Sequence, residues 1–173
     1  MSEDITVIFS HGLESSPQSR KIVYLSEISR SLGLSCQAPD YRFTQDPDRR
    51  VQSLLSLCES ISGEVILVGS SMGGYVSVVA SEIMKPKGLF LMAPAFFLSG
   101  YNRQSFKPGS STVTVIHGWH DELIPPENVF RFSREHQAEL HVLDSDHILS
   151  DCLEDIGLIY KSFLRKLLSG QCA

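Results

Sequence analysis

Basic residues are outnumbered in this sequence: 15 Lys and Arg stand against 20 Asp and Glu, a formal net charge of −5. No basic run occurs anywhere. That argues against nucleic acid as a partner, because affinity for a polyanion rests on neutralising its phosphates. Long apolar runs are missing too, and no stretch approaches the ~20 residues that a membrane-spanning helix needs. The N-terminal Met1-Ser-Glu-Asp carries no basic segment, and the apolar run at 5–9 is too short for a secretory signal, so a cytoplasmic protein is expected. Cysteine is sparse. Cys36, Cys58, Cys152 and Cys172 form no C-x-x-C and no regular spacing, which fits free thiols in a reducing compartment better than a disulfide framework. No H-E-x-x-H or comparable metal-ligand spacing is present, and neither metal nor cofactor is expected. What remains is an ordinary globular composition, 42% hydrophobic and 20% charged. At 173 residues, with no internal repeat, the chain suits one domain with a substantial core, spanning 1–173 without a separate lid.

One stretch organises the rest: Glu64-Val-Ile-Leu-Val-Gly-Ser-Ser-Met-Gly-Gly-Tyr75. Residues 65–68 are an unbroken aliphatic run, as in a strand buried on both faces. Residues 69–73 fit G-x-S-x-G with Ser71 at the centre. From Met72 to Met84 no proline intervenes, and apolar residues recur at helical spacing. Strand, glycine-bracketed serine and helix are the context of a nucleophile elbow. The turn strains the serine backbone, and only small residues two before and two after it let strand and helix pass so closely.

Around this core, apolar runs and helical stripes alternate. Strands are expected near 5–9, 34–38, 89–93, 112–116 and 139–143. Helices are expected at 19–32 (stripe Ile22, Leu25, Ile28, Leu32) and from an Asp46 cap with Pro47 at the first position. Two more are expected, one from Pro125-Pro126-Glu127 to about His136 and one from about Asp151 to 168. Residues 94–111 form the longest irregular stretch. Such alternation predicts an α/β fold, a three-layer αβα sandwich about a mostly parallel sheet of about six strands. Right-handed crossovers send all strand C-terminal ends to one edge. His11, Ser71, Pro94, Asp121 and His147 each lie at or just past such an end, where open α/β sheets bind ligands.

A serine hydroxyl becomes a useful nucleophile when a base takes its proton, and an imidazole backed by a carboxylate is the natural base near neutrality. Gly-x-Ser-x-Gly at 69–73, His-Gly at 11–12, His-Gly-x-x-Asp at 117–121 and Asp-His at 146–147 occur in that order on successive strand ends. Together they resemble the α/β-hydrolase superfamily. The opening Phe-Ser-His-Gly-Leu-Glu-Ser-Ser-Pro is similar to its small, nearly lidless bacterial esterase-like members. The resemblance spans the chain from Ile5 to the last helix and implies a truncated α/β-hydrolase fold. It implies Ser71 as nucleophile, His147 as base and then acid, Asp121 as orienting acid, and the N–H groups of Leu13 and Met72 as oxyanion hole. The implied substrate is a small-molecule acyl ester or thioester. Asp146 departs from the pattern, standing where many relatives have glycine.

Plainer readings stand beside these. Ser70 is a rival serine, off the motif centre, and Glu122, Asp144 and Asp146 compete with Asp121. His136 and His141 lie within a helix and a strand. His11 is a substrate-binding candidate or a hydrogen-bonder in its own loop. Phe96, Phe97, Leu98, Leu123 and Ile124 either line an acyl pocket or bury loop and helix against the sheet. A non-catalytic binding module on the same fold is the alternative function.

Overall fold

The computed structural model describes residues 4–169. In chain order the elements are β1 (Ile5–Ser10), α1 (Arg20–Ser31), β2 (Ser35–Gln37), α2 (Pro47–Glu59), β3 (Glu64–Ser70) and α3 (Met72–Met84). There follow β4 (Gly88–Met92), β5 (Val113–Gly118), α4 (Pro126–His136), β6 (Glu139–Leu143), a 3-10 turn (Ser150–Cys152) and α5 (Leu153–Ser169). The six strands form one sheet in the order β2-β1-β3-β4-β5-β6, and every neighbouring pair is parallel.

The apolar runs divide between two faces because successive strand residues point to opposite sides. Val65, Leu67, Leu89, Leu91, Val113 and Val115 join a core with residues of α2, α3 and α4. Ile66, Val68, Phe90, Met92 and Ile116 join a second core with α1 and α5. This is the three-layer sandwich expected from the alternation. Helix α3 is buried along Met72–Ser81 without a polar face, as suits a helix sealed between the sheet and its neighbours. At α2 the Asp46 carboxylate accepts the Asp48 N–H and Pro47 occupies the first turn.

Two boundaries depart from the sequence expectation. Helix α1 ends at Ser31, so Leu32 falls at its C-cap and is exposed rather than part of the stripe. Helix α5 begins at Leu153, because Leu149 adopts a left-handed backbone and the tighter turn at Ser150–Cys152 intervenes. Residues 94–111 are irregular, as expected, and of the two readings of their aromatic residues Phe96 follows the buried one: it stacks on Phe132 with ring centroids 4.2 Å apart, and Phe106 lies against both. Cys36, Cys58 and Cys152 are free thiols, while Cys172 and Met1 to Glu3 lie outside the described residues. Among the described residues no helix is long and apolar enough to cross a membrane.

Candidate active site

Ser71 occupies the sharp corner between β3 and α3 with φ 55° and ψ −120°, a conformation that residues with a side chain rarely adopt. The corner is clamped by backbone bonds: Ser71 N–H donates to Met92 O (2.9 Å), and Ser71 O accepts from Gly74 N–H (2.9 Å) and Ala95 N–H (3.0 Å). The glycines are required by contact. A Cβ on Gly69 would lie 2.3 Å from Gly73 O, and one on Gly73 would lie 1.9 Å from Ser10 O. Strand and helix therefore cross at backbone distance, and the Ser71 side chain is pushed out over the sheet edge.

The ends of β5 and β6 bring the other two groups to it. Ser71 Oγ lies 3.0 Å from His147 Nε2, and His147 Nδ1 lies 2.7 Å from Asp121 Oδ2. A carboxylate only accepts, so Nδ1 carries the proton and Nε2 presents its lone pair to the serine hydroxyl. The Asp121 side chain has no exposed surface, and its Oδ1 accepts the N–H groups of Leu123 (3.0 Å) and Ile124 (2.8 Å). His117 supports it from below. Its Nε2–H donates to Ile124 O (2.9 Å) and lies 3.4 Å from Asp121 Oδ2, while burial lowers its pKa. Lys21 Nζ donates to Ile148 O (2.7 Å), tying the histidine loop to α1.

The rival groups are engaged elsewhere. Asp144 pairs with His120 at the surface, Asp146 Oδ1 accepts the N–H groups of Ile148 and Leu149, and Glu122 is exposed. His141 contacts Glu139, and the His136 ring packs on Phe132. Ser70 ends β3.

The loop after β1 completes the site. A Cβ on Gly12 would lie 3.4 Å from Ser71 Cβ and 4.0 Å from its Oγ, so this loop borders the serine directly. Neither Leu13 N–H nor Met72 N–H has a protein partner among the described residues. Met72 N–H is free because it opens a helix.

The substrate-binding candidates divide. His11 is buried and committed: Nδ1–H donates to Gly12 O (2.7 Å), and Nε2 accepts Tyr41 N–H (2.9 Å). Burial depresses its pKa, and the ring is a neutral strut rather than a substrate contact. Phe96 and Ile124 are core residues, 0% and 2% exposed, because the loops that carry them fold onto the sheet. Phe97 is half-buried under the Arg131 guanidinium, 4.0 Å from its ring centroid. Leu123 is open to solvent. With Leu13 and Ile148 it gives three exposed apolar side chains (69, 39 and 61%), each within two residues of a site group. Two hollows, of about 450 and 530 Å³, are lined by residues away from Ser71, so an acyl chain has no ready-made cavity in either.

His117 stands in the sequence only as the first residue of the His-Gly-x-x-Asp motif, and Arg50, Tyr41 and Lys21 carry no assigned role there. Of these three, only Arg50 has a signal: it directly precedes Val51 and lies four before Leu54, on the face that a helical wheel turns inward.

The fold is that of the α/β-hydrolases. A model of an uncharacterised protein family, UPF0227, matches residues 6–102, more than half of the sequence, and the chain belongs to that family. No curated protein matches it by sequence. Among solved structures, a candidate hydrolase of the alpha/beta superfamily from Xanthomonas campestris pv. campestris is 27% identical. It superposes with a TM-score of 0.85 over 93% of this chain and 98% of its own. A lidless α/β serine hydrolase from Xanthomonas campestris is 22% identical, with a TM-score of 0.84 over 95% and 82%. Est1E from Butyrivibrio proteoclasticus is 16% identical, with a TM-score of 0.80 over 98% and 90%. The last two likenesses are of fold.

Proposed function

We propose that this protein is a serine hydrolase of acyl esters, working as a single α/β-hydrolase domain without a separate lid. The observation that carries the reading is the unbroken chain from Ser71 Oγ through the His147 ring to a buried Asp121, built on a strained serine. In this reading His147 Nε2 takes the hydroxyl proton as Oγ attacks the ester carbonyl. The negative charge moves to the carbonyl oxygen, facing the N–H groups of Leu13 and Met72. The imidazolium, steadied by Asp121, returns the proton to the departing alkoxide and leaves an acyl-Ser71 ester. Water, deprotonated by the same nitrogen, attacks that ester and releases the acid. Every proton is accounted for by His147, so the sequence of steps needs no cofactor.

The exposed Leu13, Leu123 and Ile148 favour a small or medium apolar acyl group resting on an open rim. Likeness to Est1E, which has been seen with ferulic acid bound, agrees with a small carboxylic ester. Thioesters fit the same machinery, with a better leaving group.

Fluorophosphonate labelling read by intact mass, with turnover of a p-nitrophenyl ester series, tests the reading in wild type, Ser71→Ala and Ser70→Ala. One label and multiple turnovers, both lost only in Ser71→Ala, are expected. A folded wild type that takes no label and turns over no ester of the series overturns the proposal in favour of a binding module.

A further inference from the structure

Arg50 stands in the first turn of α2, and its side chain has no exposed surface. A cation in a protein interior is costly unless its donors are met. All five of its N–H bonds end on backbone carbonyls: Nε and Nη2 reach Thr44 O (3.1 and 3.0 Å), Nη1 reaches Gly12 O (3.2 Å) and His11 O (3.4 Å), and Nη2 reaches Leu13 O (3.4 Å). Three of the four carbonyls belong to consecutive residues of the loop beside Ser71. The Tyr41 ring, 5.5 Å from the guanidinium carbon, closes the nest.

The peptide between Gly12 and Leu13 is the informative one. Its carbonyl oxygen uses both lone pairs, one for His11 Nδ1–H at 2.7 Å and one for Arg50 Nη1–H at 3.2 Å. The peptide is trans, so its N–H points opposite to its C=O. With Gly12 O held inward, Leu13 N–H must face outward, where Gly12 borders Ser71. The guanidinium also polarises the peptide it binds, and a polarised C=O makes the N–H at the other end a better donor.

We propose that Arg50 is the positioning residue of the oxyanion hole: it holds the carbonyls of the 11–13 loop on the buried side and so aims and polarises Leu13 N–H toward the oxygen that gains charge. This rests on the serine hydrolase reading above. Arg50 never touches substrate; it acts through one peptide unit, with His11 as the second anchor.

The test compares wild type with Arg50→Met, which keeps most of the volume, and Arg50→Lys, which keeps the charge but cannot reach four carbonyls at once. Three quantities are read: kcat and KM on p-nitrophenyl butyrate, affinity for a trifluoromethyl ketone whose adduct places an oxyanion in the hole, and the backbone 15N–1H shifts of Leu13 and Met72. In Arg50→Met, kcat is expected to fall ~10- to 10²-fold, somewhat short of deleting an oxyanion donor. KM should hold, and ketone affinity should fall with kcat because only charged-oxygen states use the hole. Arg50→Lys should lie between. In the unliganded protein the Leu13 amide shift should move and the Met72 shift stay. A folded Arg50→Met with wild-type kcat, ketone affinity and Leu13 shift overturns the proposal while leaving the hydrolase reading intact. Should the Met variant not fold, the same three readings on Arg50→Lys decide, and wild-type values there overturn it. A wild type without turnover or labelling fails the hydrolase reading instead, and the catalytic role of Arg50 falls with it.

Discussion

The two turns that face each other across the site are built by opposite means. The corner after β3 is shaped by contact: Gly69 and Gly73 leave no room for a Cβ, and the clash partners are backbone atoms. The loop after β1 is shaped by polar bonds: His11 Nδ1–H holds Gly12 O from within the loop, and Tyr41 N–H and Arg50 hold the His11 ring and the loop carbonyls from outside it. A contact-shaped turn announces itself as small residues at fixed spacing. A bond-shaped loop leaves no local pattern, because its supports lie 30 and 38 residues further along the chain. The first half of the site is therefore local and stiff, and the second depends on the whole of one face of the sheet.

The comparison can be broken most severely at its chemical centre. Ser71→Ala and His147→Ala are each expected to lower ester kcat by ~10⁶, with the double variant no worse, since the groups act as one unit. Asp121→Asn should cost ~10⁴ in kcat while leaving the fold intact, because an amide opposite Nδ1 favours the wrong tautomer; a loss under tenfold would reassign the orienting acid. On the contact-shaped side, Gly73→Ala should destabilise by about 3 kcal/mol or more, toward the upper end of overpacking because the obstacle is the Ser10 carbonyl. Denaturant unfolding measures this, and fluorophosphonate labelling should be lost with it. On the bond-shaped side, His11→Ala leaves the buried Tyr41 N–H unpaired and should cost ~1–3 kcal/mol. There Ser71 should still take the label, only more slowly, because the corner does not depend on the ring.

The smallest effect concerns the tether on the histidine loop. Burial lowers the Lys21 pKa to about 8 from an ordinary 10.5. The folded chain gives up this proton first, so between those pH values the unfolded state binds more protons and the lysine's contribution to stability rises with pH. Cys36 and Cys58, whose pKa values burial raises, push the other way in wild type and variant alike, while Cys152, also raised by burial, feels the Lys21 charge and rises further when that charge is removed. The difference between wild type and Lys21→Met in denaturation at pH 8 and 9 reads the lysine together with its pull on Cys152, and both act in the same direction. Wild-type stability should gain on the variant with increasing pH; a constant difference would remove the charged amine from the account.

Much of this was legible along the chain. The strand run at 65–68 and the G-x-S-x-G after it mark the corner, and the alternation of unbroken apolar runs with helical stripes marks a sheet covered on both sides. The order Ser71, Asp121, His147 on strand ends marks one meeting place. The aromatic residues near 96 were not legible in the same way. Phe96 and Phe97 are adjacent and alike in sequence, yet one stacks in the core and the other lies under Arg131. Composition cannot tell a loop that lines a pocket from one that folds onto a sheet. His11 was ambiguous for a related reason: an imidazole at a strand end suits a ligand contact or a strut, and only the two partners of its ring decide.

By itself the sequence determined the sheet, its direction and the edge where function gathers, because unbroken apolar runs, glycine spacing and crossover handedness act within a few residues or by general rule. Only the tertiary structure decided what holds the site in shape. The partners of Asp121, the neutral tautomer of His11 and the burial of Arg50 among backbone carbonyls all depend on which distant groups come within hydrogen-bond reach. That reach is about 3 Å, and no pattern along the chain is sensitive to it.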